Sequence, residues 1–213
     1  DVVCLSESEK TIQAIARKTA DGSRDFSDIS SVAFKDNDNI VVNRTLPEDG
    51  IYDLDQLPLP AWHLLPNARY WEVGRPHGGH AIHDVDGDLR YASMMTSMGC
   101  PFSCSFCHIA SETKDSITGE IGRFRIKSDS RVLEELEILK RLGVKQLFIE
   151  DDSLFGYRQR GMNLLRQIKG EEFEIIDVNG INLVHLFRQG EPDPEILEVL
   201  VDAGFKEISL PFE

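Results

Sequence analysis

Hydrophobic and polar positions follow the clearest pattern in the second half of this chain. From residue 91 onward, short apolar runs alternate with stretches in which apolar residues recur every three or four positions. The short runs predict buried strands, and the longer spacing predicts amphipathic helices. Alternating strands and helices are typical of a parallel sheet in an α/β fold. We therefore expect four successive strand–helix units in residues 91–213.

Turn and capping residues set the expected limits of these elements. Ser128 is a candidate helix cap, and Gly143 follows the apolar stripe of the same helix, where a glycine commonly ends one. The predicted strands are 91–97, 144–150, 173–178 and 205–210, and the predicted helices are 128–142, 157–169 and 193–203.

The first half has weaker periodicity and more turn residues. A strand is predicted at 1–5, a helix at 9–20, and a hairpin with arms at 31–34 and 39–43. The proline-rich segment that follows has no periodicity, and we interpret 51–90 as a linker. The chain begins in a predicted strand and stops just after another, so we expect it to be a fragment of a longer protein.

Composition and charge narrow the possible partners. The chain has 37 acidic and 23 basic residues, which gives a net charge of −14. Nucleic-acid-binding surfaces carry concentrated basic patches, and the only short basic cluster is Arg123, Arg125 and Lys127, so no nucleic-acid partner is expected. No apolar stretch approaches the length of a membrane span. The cysteine content favours a reducing compartment, which we take to be the cytoplasm.

Three of the four cysteines are the strongest chemical signal. Cys100, Cys104 and Cys107 lie within eight positions in the spacing CxxxCxxC. Thiols this close are poorly suited to pair with one another, but on a turn flanked by glycine and proline they can converge on one metal centre. Two alternatives stay open, a zinc site with His108 as a fourth ligand and a set of buried structural cysteines. The fourth cysteine, Cys4, is expected in the core.

The sequence around the cysteines resembles the cluster-binding loop of the radical S-adenosylmethionine (radical SAM) enzymes. The resemblance lies in the Gly-Cys-Pro start, the CxxxCxxC spacing and Phe106 before the third cysteine. It implies that Cys100, Cys104 and Cys107 bind a [4Fe–4S] cluster, that S-adenosylmethionine chelates the fourth iron, and that Phe106 lies beside the adenine. It further implies reductive cleavage to a 5′-deoxyadenosyl radical, an external electron donor of flavodoxin or ferredoxin type, and a small-molecule substrate. The radical would serve methylation, cyclisation or rearrangement of an unactivated carbon.

The first half is similar to the cobalamin-associated branch of the same family. The similarity covers the predicted helix, the hairpin and the linker, and it implies two domains joined by a linker. Residues 1–50 would end a Rossmann-like domain, 51–90 would be the linker, and 91–213 would be the first four units of a partial (β/α) barrel of the TIM type. The branch's Gly-Glu-Gly-Glu turn reads Ser-Glu-Ser-Glu at residues 6–9, so the acids are kept and the glycines are lost. The cobalamin-binding signature DxHxxG is absent, so any cobalamin would be bound by residues upstream.

Residues at the ends of the predicted strands complete the candidate site, because the active site of such barrels lies at the carboxyl ends of the strands. Asp151 and Asp152 match a family turn that accepts the amino group of S-adenosylmethionine, with a helix-capping turn as the alternative. Ser209 and Glu213 match positions that contact the ribose or the methionine moiety.

Several interpretations compete with this one. Arg125 and Lys127 are expected either to balance the carboxylate of the cofactor or to lie on the surface. His77, His80 and His83 are interpreted as part of a polar loop. An RNA methylthiotransferase-like radical SAM protein and a zinc-binding interaction module are the alternative functions.

Overall fold

The structure, a computed structural model, describes residues 1–73, 90–112 and 115–211. It divides into two compact units, one of Asp1–Leu54 with Gly99–Arg125 and the other of Asp55–Met98 with Ile126–Glu213. The three histidines of the predicted loop, part of the predicted linker and Glu213 lie outside the described residues.

The elements of the described residues follow the chain in this order. The strands are β1 (Val2–Cys4), β2 (Val32–Asp36), β3 (Asn39–Asn43), β4 (Tyr91–Met94), β5 (Ser97–Met98), β6 (Arg125–Ile126), β7 (Gln146–Ile149), β8 (Glu174–Asp177), β9 (Phe187–Arg188), β10 (Glu191–Pro192) and β11 (Phe205–Ile208). The α-helices are α1 (Glu9–Ala20), α2 (Asn67–Val73), α3 (Asp129–Arg141), α4 (Arg158–Ile168), α5 (Leu183–Leu186) and α6 (Pro194–Ala203). Short 3-10 helices occupy Pro47–Asp49, Leu54–Gln56, Trp62–Leu64 and His108–Ser111. None of the helices in the described ranges is long and apolar enough to cross a membrane.

The first unit contains a three-stranded antiparallel sheet in the order β1-β2-β3. The predicted helix at 9–20 and the predicted hairpin are confirmed. A small apolar core joins them, because Ile15 of α1 packs with Val32 and Phe34 of β2, and Cys4 lies against this core as expected. The assignment of residues 1–50 to a Rossmann-like domain stays a prediction.

The second unit contains a four-stranded parallel sheet in the order β11-β8-β7-β4. Each strand of this sheet therefore pairs with the next strand of the same sheet along the chain. Met94 is aligned with Ile149, and Ile149 with Asp177. Helices α3, α4 and α6 supply apolar residues to one continuous core, among them Leu136, Leu165 and Ile196. This confirms the predicted α/β class and the strand–helix alternation, while closure into a barrel stays a prediction.

Local signals account for several helix limits. Ser128 caps α3 as predicted, since its hydroxyl oxygen accepts a hydrogen bond from the Arg131 N–H at 3.1 Å. The helix ends before Gly143, whose φ is +79°. Asp193 caps α6 in the same way, by accepting from the Glu195 N–H at 3.1 Å, with proline as the first helical residue.

The first strand of the parallel sheet is shorter than predicted. It ends at Met94 instead of continuing to residue 97. The reason is that the Thr96 N–H donates to the Asp151 carboxylate at 2.6 Å, so it is not available for a strand ladder. The side chain that follows β7 thus stops β4.

Candidate functional site

The cysteine segment begins with a backbone conformation that requires glycine. Gly99 has a φ of +73°, and a Cβ at this position would lie 2.4 Å from the Arg123 carbonyl oxygen and 2.6 Å from that of Gly122. Contacts this short do not occur for real side chains, so the backbone of Gly99 packs directly on residues 122–123. The Cys100 N–H donates to the Gly122 carbonyl at 3.1 Å. The position of the first cysteine is therefore fixed by the turn at 122–123.

The other two cysteines lie on a tight turn. The Cys107 N–H donates to the Cys104 carbonyl at 3.1 Å, and a 3-10 helix starts at His108. Cys100, Cys104 and Cys107 are all half-buried, and none of the chain's four cysteines, all within the described residues, is in a disulfide. The alternative of fully buried structural cysteines is therefore wrong.

These thiols suit a cluster in their chemistry. Thiolate sulfurs on one short loop are the usual ligands of iron–sulfur clusters, and three of them leave one iron open. In the parts of the chain that the structure describes, no three side chains of His, Cys, Asp or Glu are drawn together as metal ligands would be. The assignment of Cys100, Cys104 and Cys107 as cluster ligands stays a prediction, carried by donor type, spacing and partial exposure.

Phe106 is unusual for an aromatic residue of this unit. Its side chain is 65% exposed, although most of the unit's other aromatic rings are at least half covered. Burying such a ring in an apolar setting would be favourable, so an exposed phenylalanine beside the third cysteine offers a face for a ligand. The predicted contact with adenine stays a prediction.

Arg125 and Lys127 differ from both expectations. The Arg125 side chain is buried and pairs with the Glu7 carboxylate, and Lys127 donates to both oxygens of Glu135, at 2.9 and 2.7 Å. A surface role is therefore wrong for both residues. Because each cation already has a carboxylate partner from its own unit, neither is a good candidate to balance a cofactor carboxylate.

In the second unit, Asp151 lies at the end of β7 and is 1% exposed. Its carboxylate accepts three hydrogen bonds, from the Thr96 N–H at 2.6 Å, the Thr96 hydroxyl at 2.7 Å and the Ser97 hydroxyl at 2.6 Å. A carboxylate has about four acceptor positions, so most of its capacity is used within the chain. Asp151 therefore orients the two residues that precede Met98 and the cysteine segment.

Arg160 of α4 completes this buried network. Its guanidinium donates to the Thr96 hydroxyl oxygen at 2.8 Å and to the Lys127 carbonyl at 2.9 Å. Burial raises the pKa of the Asp151 carboxyl, whereas the hydrogen bonds from Ser97 and Thr96 and the charge of Arg160 act to lower it. Thr96 thus connects the buried Asp151 carboxyl to the guanidinium of Arg160 through a single hydroxyl group.

Asp152 is the more accessible of the two adjacent acids, since it is half-buried. Neither acid caps the following helix, because α4 begins at Arg158 with Tyr157 as its N-cap residue, so the capping alternative is wrong. The predicted contact of Asp151 and Asp152 with an ammonium group stays a prediction, and Asp152 is the more accessible of the two. A carboxylate that is half open to solvent is suited to a charge-assisted hydrogen bond.

Ser209 follows β11 at the same carboxyl edge of the sheet. Its N–H lies 3.3 Å from Oδ2 of Asp177, and its hydroxyl donates to the Asp177 carbonyl at 3.3 Å. These contacts fix the backbone of residue 209 beside the end of β8. The predicted contacts of Ser209 and Glu213 with the cofactor stay predictions, and Glu213 lies outside the described residues.

The structure separates the candidate residues into two groups. The three cysteines and Phe106 belong to the first unit, and Asp151, Asp152 and Ser209 to the second. Sequence reasoning missed Glu7, Thr96, Ser97 and Arg160 as participants. Only the positions of three of these residues could have indicated a role. Thr96 and Ser97 lie shortly before the cysteine motif, and Glu7 lies in the acidic turn at residues 6–9.

Comparison with known families identifies this combination of fold and motif. A sequence profile of the Radical SAM superfamily matches residues 94–213. This match covers more than half of the chain and includes all three cysteines. The chain belongs to the Radical SAM superfamily, a family of enzymes that use a [4Fe–4S] cluster and S-adenosylmethionine.

Curated relatives indicate the branch of the family. The chain is 30% identical over 177 residues to an uncharacterized methyltransferase of Pyrococcus horikoshii. This alignment covers 82% of this chain and 33% of the relative. It is 24% identical over 162 residues to the cytidylyl-2-hydroxyethylphosphonate methyltransferase of Streptomyces wedmorensis. This alignment covers 76% of this chain and 27% of the relative. A shorter match, 36% over 99 residues, covers 42% of this chain and 21% of a ribosomal protein uS12 methylthiotransferase of Pelodictyon phaeoclathratiforme. The chain thus spans a third or less of the length of these proteins.

A solved structure shares the fold. The radical S-adenosylmethionine methyltransferase TsrM from Kitasatospora setae, solved with cobalamin and a [4Fe–4S] cluster bound, aligns with a TM-score of 0.63. The alignment has 15% sequence identity and covers 100% of this chain and 38% of that one. At this identity the comparison establishes a common fold.

Proposed function

We propose that this chain carries the cofactor-binding part of a radical SAM methyltransferase. The observation that carries the proposal is the CxxxCxxC motif, which lies within the family match and begins at the glycine-dependent turn of Gly99. Cys100, Cys104 and Cys107 would bind three irons of the cluster, and S-adenosylmethionine would bind the fourth.

The chain's own residues would bind and orient these groups. When bound and reduced, the cluster supplies the electron that cleaves the sulfonium of S-adenosylmethionine, and the protein provides binding and orientation. The exposed ring of Phe106 offers a stacking face for adenine, and Asp152 offers a carboxylate for an ammonium group. Asp151 has the different task of holding Thr96 and Ser97 in place. The electron would come from an external donor of flavodoxin or ferredoxin type.

Methyl transfer to an unactivated carbon is favoured over cyclisation or rearrangement. Of the three relatives that align with most of this chain, two are named methyltransferases and the third is named a methylase. The structural relative is itself named a methyltransferase and was solved with cobalamin and a [4Fe–4S] cluster bound. We propose no cobalamin ligand among the residues of this sequence, which lacks the DxHxxG signature. The substrate would be a small molecule.

Methylthiotransfer is the second candidate. It is supported by the match to a ribosomal protein methylthiotransferase, which has higher identity but covers less than half of this chain. The two functions differ in product, since one adds a methyl group to carbon and the other adds a methylthio group. The longer alignments favour methyl transfer.

The test is anaerobic reconstitution with iron and sulfide, followed by electron paramagnetic resonance of the reduced protein with and without S-adenosylmethionine. We expect about four irons per chain and a signal that shifts when the cofactor is added. Cys104→Ala should lose the cluster, and Cys4→Ala, which changes the half-buried cysteine of β1, should keep it. Binding of a single zinc in place of a cluster, or an equal effect of both substitutions, would contradict the proposal.

A further inference from the structure

The altered acidic turn at residues 6–9 has a structural partner that the sequence does not indicate. The Glu7 carboxylate faces the guanidinium of Arg125 with both oxygens, at 2.8 Å from Oε2 to Nη1 and 2.6 Å from Oε1 to Nη2. The two side chains are 8% and 6% exposed, respectively. The Oε2–Nη1 contact is a hydrogen bond, and the Oε1–Nη2 contact is a close ion pair without hydrogen-bond geometry, so the interaction depends on the charges of both side chains.

The remaining donors of Arg125 bind backbone carbonyls on two segments. Nε donates to Arg123 at 3.0 Å and Nη2 donates to Ile121 at 3.1 Å, so the guanidinium holds the turn at 121–123 from within. Nη1 donates to the Ile51 carbonyl at 2.5 Å, and Glu7 accepts from the Ile51 N–H at 3.2 Å. The ion pair therefore ties together three parts of the first unit that are distant in sequence.

The turn held by Arg125 is the same turn that fixes the first cysteine. Gly122 accepts the hydrogen bond from the Cys100 N–H, and the Arg123 carbonyl lies where a Gly99 side chain would be. A continuous series of contacts thus leads from Glu7 through Arg125 and residues 121–123 to Cys100. All of these residues belong to one compact unit.

We propose that Glu7 and Arg125 are positioning residues that hold the 121–123 turn and, through it, the cysteine segment in the conformation needed to bind a cluster. The proposal rests on the proposed function for the role of Cys100 as a ligand.

The test compares Glu7→Gln, Arg125→Met and the double variant. Removing one partner of a buried ion pair leaves an uncompensated charge, and removing both largely avoids that cost. The double variant should therefore recover folding stability, measured by urea unfolding, while the guanidinium bonds to residues 121 and 123 stay lost. Asp28→Asn is the matched control, since it removes an acid from an exposed ion pair of the same unit.

Two measurements follow the cysteine segment separately from folding. The first is the rate at which iodoacetamide alkylates each cysteine in the metal-free protein, measured by mass spectrometry, with Cys4 as internal reference. The second is the iron and sulfide content after reconstitution. We expect alkylation of Cys100 to rise about tenfold in both single variants and in the double variant, which corresponds to ~1.4 kcal/mol of local stability. Cluster content should fall in the same three proteins and stay unchanged in the control.

The outcomes separate this proposal from the proposed function. If the double variant recovers wild-type alkylation rates together with its stability, the pair contributes stability alone and the positioning role is refuted. Faster alkylation of Cys100 in the double variant supports the role even if the wild-type chain binds no cluster, a result that would refute the proposed function instead.

Discussion

Gly99 gives the sharpest prediction, because the chain contains a second glycine that serves as its control. Gly99 and Gly22 both belong to the first unit and have φ values of +73° and +79°. A Cβ at Gly22 would meet no atom within 4 Å, whereas one at Gly99 would overlap two backbone carbonyl oxygens. Gly22→Ala therefore measures the backbone strain alone, and Gly99→Ala measures strain plus the steric conflict.

The expected magnitudes follow from these two terms. A left-handed conformation costs an alanine roughly 1–2 kcal/mol relative to glycine, and this applies to both variants. At Gly99 the 2.4 Å approach to Arg123 forces the backbone of residues 122–123 to move. That movement breaks the hydrogen bond from Cys100 to Gly122, a further loss of about 0.5–1.5 kcal/mol, to which the displacement itself adds. Gly99→Ala should thus be at least ~1 kcal/mol less stable than Gly22→Ala.

The assay is urea unfolding followed by circular dichroism, together with iron content after anaerobic reconstitution. We expect Gly22→Ala to lower the unfolding midpoint modestly and to retain a wild-type cluster content. Gly99→Ala should lower the midpoint further and lose most of the cluster. If the two variants have equal midpoints and equal iron contents, the close packing of Gly99 on residues 122–123 is not what fixes the cysteine segment.

Three further predictions concern the second unit. Thr96→Val removes the hydroxyl between Asp151 and Arg160 and should cost about 2–3 kcal/mol in urea unfolding, because hydrogen bonds to charged groups are lost. Thr45→Val, whose buried hydroxyl makes no hydrogen bond within the described residues, should be neutral or stabilising, and similar losses in both would contradict the role of Thr96. Asp152→Asn should weaken S-adenosylmethionine binding in calorimetry while leaving the cluster spectrum intact, and unchanged affinity would remove Asp152 from the site. Burial and the charge of Arg158 lower the pKa of His185 from 6.5, so its contribution to stability is present above that value and lost as the pH falls below it. His185→Gln should therefore flatten the decline of the unfolding midpoint on acidification, and a decline equal to that of wild type would refute this.

The sequence was sufficient for elements that depend on local chemistry. The helix at 9–20 and the helix capped by Ser128 both lie where apolar spacing and capping residues predict them. The parallel sheet also followed from local patterns, because parallel strands need a crossover connection and a helix usually provides it. The cysteine motif is equally local, since its spacing alone brings three thiols within one loop.

No spacing or capping pattern in the sequence indicated the contacts between residues that are distant along the chain. Arg125 occurs in a short basic cluster and resembles a surface residue, but its partner Glu7 is 118 positions away. The predicted contact of Asp151 with a cofactor stays a prediction, and the sequence did not indicate its hydrogen bond from Thr96, 55 positions earlier. Periodicity and spacing describe neighbours along the chain, and they contain no information about which buried charge meets which partner.

The sequence by itself determined the family, the strand–helix order and the candidate cluster ligands, because each depends on residues that are near one another in the chain. Only the tertiary structure decided which buried polar groups meet one another. A buried carboxylate or guanidinium is tolerated where hydrogen-bonding partners compensate its loss of solvation, and packing alone brings those partners together. Glu7 with Arg125, and Thr96 with Asp151 and Arg160, are therefore properties of the fold.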